Sequence, residues 1–256
     1  MNSEKITALY DLVRQAKRCV ALTGAGVSTL SGIRDFRGKD GLYNDMDAEK
    51  LFDIDYFVRD PSFYYECAGS FIYNLNEKEP SIVHEVLAKM ERRGILKALI
   101  TQNIDLLHRK GGSENVIEIH GSPSIHYCLR CPGIRMSFDE AAAVVRSGGM
   151  PKCERCGGVL KPAITFFGES LPASALRAAV NEAQEADVML VLGTSLTVQP
   201  AASLPEHTLR SGGQVVIVNN MPTHLDRRAA MCFDDLGEVF EGLDRLMSNC
   251  SPQTNS

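Results

Sequence analysis

Arg18-Cys19-Val20-Ala21-Leu22-Thr23-Gly24-Ala25-Gly26-Val27-Ser28 carries an unbroken apolar run straight into a glycine turn. A strand that reads as continuous Val, Leu and Ala, without period-two alternation, is buried on both faces. That is the signature of a parallel sheet covered by helices. Glycines at its end permit a tight turn and let a backbone approach a pyrophosphate at the start of a helix. Thr29 stands where the third glycine of the dinucleotide fingerprint would fall. Nucleotide binding and an ordinary strand-to-helix turn are therefore both open at this point.

Similar runs recur outward from this one: LKALITQN (96–103), NVIEIHG (115–121), ADVMLVLGTS (186–195), GQVVIVNN (213–220) and AMCFDD (230–235). Segments of helical periodicity lie at 3–17, 81–93, 172–185, 200–211 and 236–248. The alternation predicts an α/β fold with a doubly wound parallel sheet. Two stretches break the rhythm. Residues 42–75 are rich in aromatics and acids, with a helix expected over 61–75, and residues 122–162 hold two C-x-x-C pairs. The expected organisation is one sheet domain from 1–41, 76–121 and 163–249, a helical insertion at 42–75, a small domain at 122–162, and a disordered tail at 250–256.

The chain has 256 residues and is 44% hydrophobic, enough to bury a substantial core. No run approaches the roughly 18 to 20 apolar residues that span a bilayer, and the opening segment is polar and amphipathic. The net charge of −5 comes with dispersed Lys and Arg, so no basic patch for nucleic acid is expected. These features predict a cytoplasmic protein that touches neither membrane nor nucleic acid directly. Nothing in the pattern demands an oligomer, and a monomer is the favoured state.

Four of the eight cysteines fall in Cys128-x-x-Cys131 and Cys153-x-x-Cys156. The gap between the pairs, 132 to 152, is slightly longer than the roughly 15 to 20 residues common in zinc ribbons. Four thiolates so spaced can close a tetrahedron with no open position, which makes the zinc structural. A redox-active pair is the alternative. Cys19, Cys67, Cys232 and Cys250 lack such spacing and read as apolar filler or free thiols.

Polar groups gather at the strand ends. Gln102, Asn103, Ile104 and Asp105 follow the second strand, and His120-Gly121 follows the third. Gly193, Thr194 and Ser195 end a later strand, and Asn219 the next. Ligands of open α/β sheets bind beyond these carboxyl ends. His120 is the only histidine so placed, which suits a general base, although a structural role is the commoner one for a single histidine. His84, His108, His126, His207 and His224 receive no chemical role. The loop Ser31-Gly32-Ile33-Arg34-Asp35-Phe36-Arg37-Gly38 packs two cations, an acid and an aromatic between glycines, and burying it without a ligand would be costly.

Taken together, GAGVSTLSGIRDFRG, TQNID, IHG, the C-x-x-C pairs, KPAITFFGE, GTSLTVQPA and VVIVNNMPT occur in the order found in sirtuins, and the sequence resembles that family from about residue 5 to 245. The resemblance implies a Rossmann-like domain, an inserted zinc-ribbon module, and a cleft where NAD meets an acyl-lysine protein substrate. By motif, Gly24, Ala25, Gly26, Thr29, Asp35, Phe36 and Arg37 would form the cofactor loop. Gln102, Asn103, Ile104 and Asp105 would line the nicotinamide and ribose pocket. Gly193, Thr194, Ser195 and Asn219 would hold phosphate and the adenine-side ribose, with a backbone contact to adenine at Cys232. Thr165, Phe167 and Gly168 would pair with the substrate peptide. His120 would be the base and Asn103 its catalytic neighbour.

The activity so implied is NAD-dependent deacylation of protein lysine, giving free lysine, nicotinamide and 2′-O-acyl-ADP-ribose, with NAD a cosubstrate and one structural zinc. Two rivals are ADP-ribosyl transfer from the same site and a binding module without turnover. Arg34 stands where the family usually has proline, and Thr165 where it has a β-branched apolar residue. Sirtuins that favour succinyl or malonyl lysine carry a Tyr-x-x-Arg pair where this chain has Ala68 and Phe71, so neutral acyl groups, acetyl first, are expected.

Overall fold

A computed structural model describes residues 2–35, 41, 48–69 and 72–249. Its strands are β1 (Cys19–Thr23), β2 (Leu96–Thr101), β3 (Val116–Glu118), β4 (Gly121–Cys128), β5 (Arg135–Ser137), β6 (Leu160–Ile164), β7 (Val188–Leu192), β8 (Gln214–Val218) and β9 (Met231–Phe233). The helices are α1 (Asn2–Gln15), α2 (Ala48–Leu51), α3 (Ile54–Arg59), α4 (Pro61–Ala68), α5 (Ile82–Arg92), α6 (Leu107–Lys110), α7 (Phe138–Arg146), α8 (Ala173–Glu185), α9 (Leu204–Arg210) and α10 (Leu236–Asn249). None is long and apolar enough to cross a membrane.

The large sheet is parallel throughout, in the order β3-β2-β1-β7-β8-β9. Its apolar runs point both ways, as expected. Cys19 and Ala21 join a cluster with Leu9 of α1, Leu87 of α5 and Phe240 of α10. Val20 and Leu22 join another with Ala179 and Ala183 of α8 and Leu204 of α9. Burying each large aliphatic side chain stabilises the fold by about 1.5–3 kcal/mol, so a one-residue register slip is strongly disfavoured. The chain winds outward from β1 on one side and from β7 on the other. This Rossmann-like order opens a crevice at the β1/β7 tips.

The two interrupting segments share a single lobe. Strands β5-β4-β6 form an antiparallel sheet. Phe57, Tyr64 and Tyr65 from the first segment pack with Phe138, Ala142 and Val145 of α7 and with Phe166 in one apolar cluster. The helix expected over 61–75 is corrected: α4 ends at Ala68 with Gly69 as its C-cap, and a 3-10 turn covers Ile72–Glu77. That break turns Tyr73 inward, where it stacks between Phe138 (5.9 Å) and Tyr65 (5.8 Å). The helix expected over 200–211 also starts late, with a 3-10 turn at Ala201–Ser203 before α9, whose first turn holds Pro205. The expected tail, 250–256, lies outside the described residues.

Candidate active site

The tips of β1 and β7 approach so closely that side chains cannot fit between them. A Cβ on Gly24 would lie 2.7 Å from Thr194 Cβ, and one on Gly26 would lie 2.7 Å from Gly193 Cα. Gly193 itself sits at φ 59°, where L side chains are strained. The glycine pattern thus serves backbone-to-backbone packing at the switch point, where the Gly24 N–H donates to the Leu192 carbonyl and the Gly26 N–H to the Gly193 carbonyl, both at 2.9 Å.

Asn103 knits this tip to the next. Its Nδ2 donates to the Gly24 carbonyl (3.1 Å) and to Ser28 Oγ (3.2 Å). Ser28 Oγ donates to Asp105 Oδ2 at 2.5 Å, and the Leu107 N–H donates to Asp105 Oδ1 at 3.0 Å. Gln102 Nε2 donates to Thr194 Oγ1 at 3.1 Å, bridging β2 and β7 across β1. Leu106 (φ 65°) and Leu196 (φ 54°) are non-glycine residues in the left-handed region, one beside each loop. Such conformations cost about 1–3 kcal/mol and persist where surrounding contacts over-determine them, as these bonds do.

His120 sits between β3 of the large sheet and β4 of the small one, at the junction of the lobes. Its Nδ1 lies 2.8 Å from the Gln102 carbonyl oxygen. A carbonyl only accepts, so Nδ1 carries the proton and Nε2 keeps a lone pair. Burial pushes the imidazole pKa down, opposed by the Gln102 bond. The ring is therefore neutral at physiological pH and able to take a proton.

A cavity of about 1200 Å³ spans the crevice and the facing small lobe. It brings together His120, Gly24, Ala25, Gly26, Thr29, Asp35, Gln102, Asn103, Ile104, Asp105, Gly193, Thr194, Ser195 and Asn219, and from the small-lobe side Thr165, Phe167 and Gly168. This exceeds the roughly 300–1,000 Å³ of a single-ligand pocket and suits two reactants. Cys232 lines an adjoining cavity of about 490 Å³ instead, which shares Asn219 as a wall. Phe36 and Arg37 lie outside the described residues. Sequence reading missed Ser28 as the hinge of the Asn103–Asp105 network. Its signal was a serine two residues after the Gly24-Ala25-Gly26 turn at the end of β1.

The four cysteines of the small lobe converge, with all Sγ atoms within 4.8 Å of one another. Cys128 Sγ and Cys156 Sγ are 3.6 Å apart, close to the edge of ~3.8 Å expected for a tetrahedron with Zn–S near 2.3 Å. The Cys131 N–H donates to Cys128 Sγ at 3.3 Å, and the Gly158 N–H, followed by the Cys131 thiol, pulls the Cys156 thiol down to about 6, while that shared hydrogen bond pushes the Cys131 thiol up to about 12. Donors aimed at sulfur favour thiolates, the form that binds metal. The set fits one structural zinc ion.

The Sir2 family model matches residues 24–200. The NAD-dependent protein deacetylase of Thermotoga maritima is 42% identical over 243 residues, covering 95% of this chain and 97% of that protein. The chain belongs to the Sir2 family. NAD-dependent protein deacylase 1 of Archaeoglobus fulgidus is also 42% identical, over 93% of this chain and 95% of its own. Among solved Sir2 structures, one with a p53 peptide and NAD+ matches at TM-score 0.86 and 40% identity, covering 95% of this chain and 98% of that one. Another, with a deacetylated p53 peptide and 3′-O-acetyl ADP ribose, matches at TM-score 0.89 and 40% identity, covering 96% and 98%. The Sir2 likeness therefore spans both lobes and the cavity between them.

Proposed function

We infer that this protein is an NAD-dependent protein-lysine deacetylase, yielding free lysine, nicotinamide and 2′-O-acyl-ADP-ribose. The observation that carries the reading is the His120–Gln102 bond, which leaves a neutral Nε2 at a cavity large enough for two reactants. The relatives named for deacetylation and deacylation support it.

NAD supplies a glycosidic bond whose cleavage releases nicotinamide and leaves an electrophilic ribose. The chain supplies the geometry. Gly24, Ala25, Gly26, Thr29 and Asp35, with Phe36 and Arg37 of the same loop, cover the cosubstrate. Gln102, Asn103, Ile104 and Asp105 hold the reacting ribose end, with Asn103 fixed by Gly24 and Ser28. Thr194, Ser195 and Asn219 hold phosphate and the distal ribose beside Gly193, and the Cys232 cavity takes the adenine edge. Thr165, Phe167 and Gly168 align the acyl-lysine peptide, so that the acyl oxygen meets the ribose in near-attack geometry. His120 Nε2 then removes a ribose hydroxyl proton. The four cysteines hold zinc away from this chemistry. Reducing conditions of the cytoplasm suit thiolate ligands.

The test is nicotinamide release with and without an acetyl-lysine peptide, compared between wild type and His120→Ala. Release should depend on the peptide, and the variant should lose about 10²–10⁴-fold in product formation. Equal rates overturn the assignment. Mass spectrometry of the NAD-derived product separates acyl transfer from ADP-ribosylation of protein.

A further inference from the structure

Lys161 on β6 is fully buried, in the lobe that faces the cosubstrate crevice. Its ammonium has three protons and three acceptors: Ile164 O at 2.6 Å, Glu169 Oε2 at 2.8 Å and Pro162 O at 3.2 Å. The Phe166 ring lies under it, 4.0 Å from Nζ to the centroid. A charge this deep is costly unless every proton is matched, and here it is.

The partner carboxylate does two further things. Glu169 Oε2 also accepts the Phe166 N–H at 2.8 Å, while the Glu169 N–H donates to the Phe166 carbonyl at 3.0 Å. Glu169 thus closes the turn Phe166-Phe167-Gly168-Glu169, directly after Thr165, and it lines the main cavity. The same strip is tied to the catalytic junction, because the Thr165 N–H donates to the His120 carbonyl at 2.8 Å. On the other side, the Phe167 N–H donates to Phe52 O at 2.6 Å. The strip's register relative to His120 is therefore set at one end by His120 itself and at the other by the lysine–carboxylate pair.

We propose that Lys161, acting through Glu169, is a positioning residue that holds the Thr165–Gly168 strip in the register an acyl-lysine peptide needs to reach His120. The proposal rests on the reading of that strip as the peptide-binding edge. A neutral side chain of similar length at position 161 would fill the space but leave the Phe166–Glu169 turn anchored only by its own hydrogen bonds. The peptide would then dock in a mixture of registers, while the β1 and β7 tips that serve the cosubstrate would be untouched.

The experiment measures peptide KM, kcat and NAD Kd for wild type, K161R, K161M, E169Q and the double variant K161M/E169Q, with zinc content and thermal melting recorded for each. The double variant leaves no unpaired charge buried, so it remains informative if K161M alone fails to fold. In folded, zinc-loaded K161M/E169Q, peptide kcat/KM should fall on the order of 10- to 100-fold, the scale of a roughly 1 Å misplacement. NAD Kd should stay within about twofold, and K161R, which keeps the charge but must fit a larger planar group into a buried site, should recover only part of the loss. Unchanged peptide kinetics in the folded double variant, or a parallel loss of NAD affinity, overturns the proposal. F167A tests the underlying reading separately. If that variant leaves peptide KM unchanged, the strip is not the peptide edge; if it raises KM while the double variant does not, only the role of Lys161 fails.

Discussion

The imidazole rings of His84 and His108 lie 4.6 Å apart, both buried, behind the loop that carries Asn103 and Asp105. His108 Nε2 is 2.8 Å from Thr23 Oγ1, which donates to Thr101 Oγ1 at 2.9 Å; that oxygen accepts the Asn103 N–H at 3.0 Å. His84 Nδ1 accepts the Ser81 N–H, and Ser81 Oγ donates to the Val27 carbonyl under the cofactor loop. The pair therefore underpins the β1 and β2 tips on one side of the crevice. His84 Nε2 and His108 Nδ1 have no hydrogen-bond partner among the described residues.

This arrangement fixes a dependence of stability on acid. Burial, and then the neighbouring ring, pushes the His108 pKa well down; burial also lowers that of His84, with the Asp105 charge opposing. Below the unfolded value of about 6.5, the unfolded chain binds protons that the folded chain does not, so stability falls as pH falls. Thermal melting by circular dichroism should show a roughly constant midpoint from pH 8 to 7 and a decline from about pH 6.5 downward. A midpoint that is flat to pH 5 would contradict the buried neutral pair.

Catalysis should follow a different group. His120 must be neutral to accept a proton, and its pKa is held below the usual imidazole value by burial. The acid limb of kcat/KM for an acetyl peptide should therefore have its midpoint below about pH 6.5 and disappear in His120→Ala. The pH–rate profile over the range where the fold survives checks this. A limb centred above 7 would mean that an anion faces the ring instead.

How much of this was legible beforehand depended on periodicity. The parallel strands were readable because Val, Leu and Ile runs have no other use at that length, and the strand-end positions of Asn103, Asp105 and His120 followed from them. The small lobe was harder. Its helix α7 went unread although Ser137 and Glu140 form a capping box before an apolar stretch. Tyr73 could not be placed, because its partner Phe138 is distant in sequence and aromatic stacking leaves no period. Lys161 stood out only as the first residue of KPAITFFGE: a lysine there reads as surface until its three acceptors are seen.

Metal removal should separate the lobes. Cys128 and Cys153 are buried with Leu160 in a small cluster that has little other apolar support. Binding energies of structural zinc in small peptides reach about 10–16 kcal/mol, far more than this cluster could replace. Elemental analysis should find one zinc per chain. Chelation, or Cys153→Ala, should unfold the cysteine-bearing end of the small lobe and abolish peptide turnover, while the aromatic cluster and the parallel sheet stay folded and the far-UV signal is largely kept. Full activity in metal-free protein would rule out a structural role.

Acyl preference follows from which charges the cavity can offer. The cations described along its wall are Arg34 and Lys78, and each already binds a backbone carbonyl, Arg34 that of Gly41 and Lys78 that of Gly32, both at 3.1 Å. Ala68 is buried on α4 among the aromatic rings and offers no hydroxyl; Phe71 lies outside the described residues. Among the described residues a succinyl carboxylate would thus meet no dedicated partner, at a desolvation cost of about 1–3 kcal/mol or more. Acetyl-lysine peptide should turn over at least about tenfold faster than its succinyl counterpart when kcat/KM is measured side by side. Propionyl adds only one apolar methylene and should fall close to acetyl. Faster succinyl turnover would require a cation that reaches the acyl end, and Arg34→Ala would then be the variant that removes it.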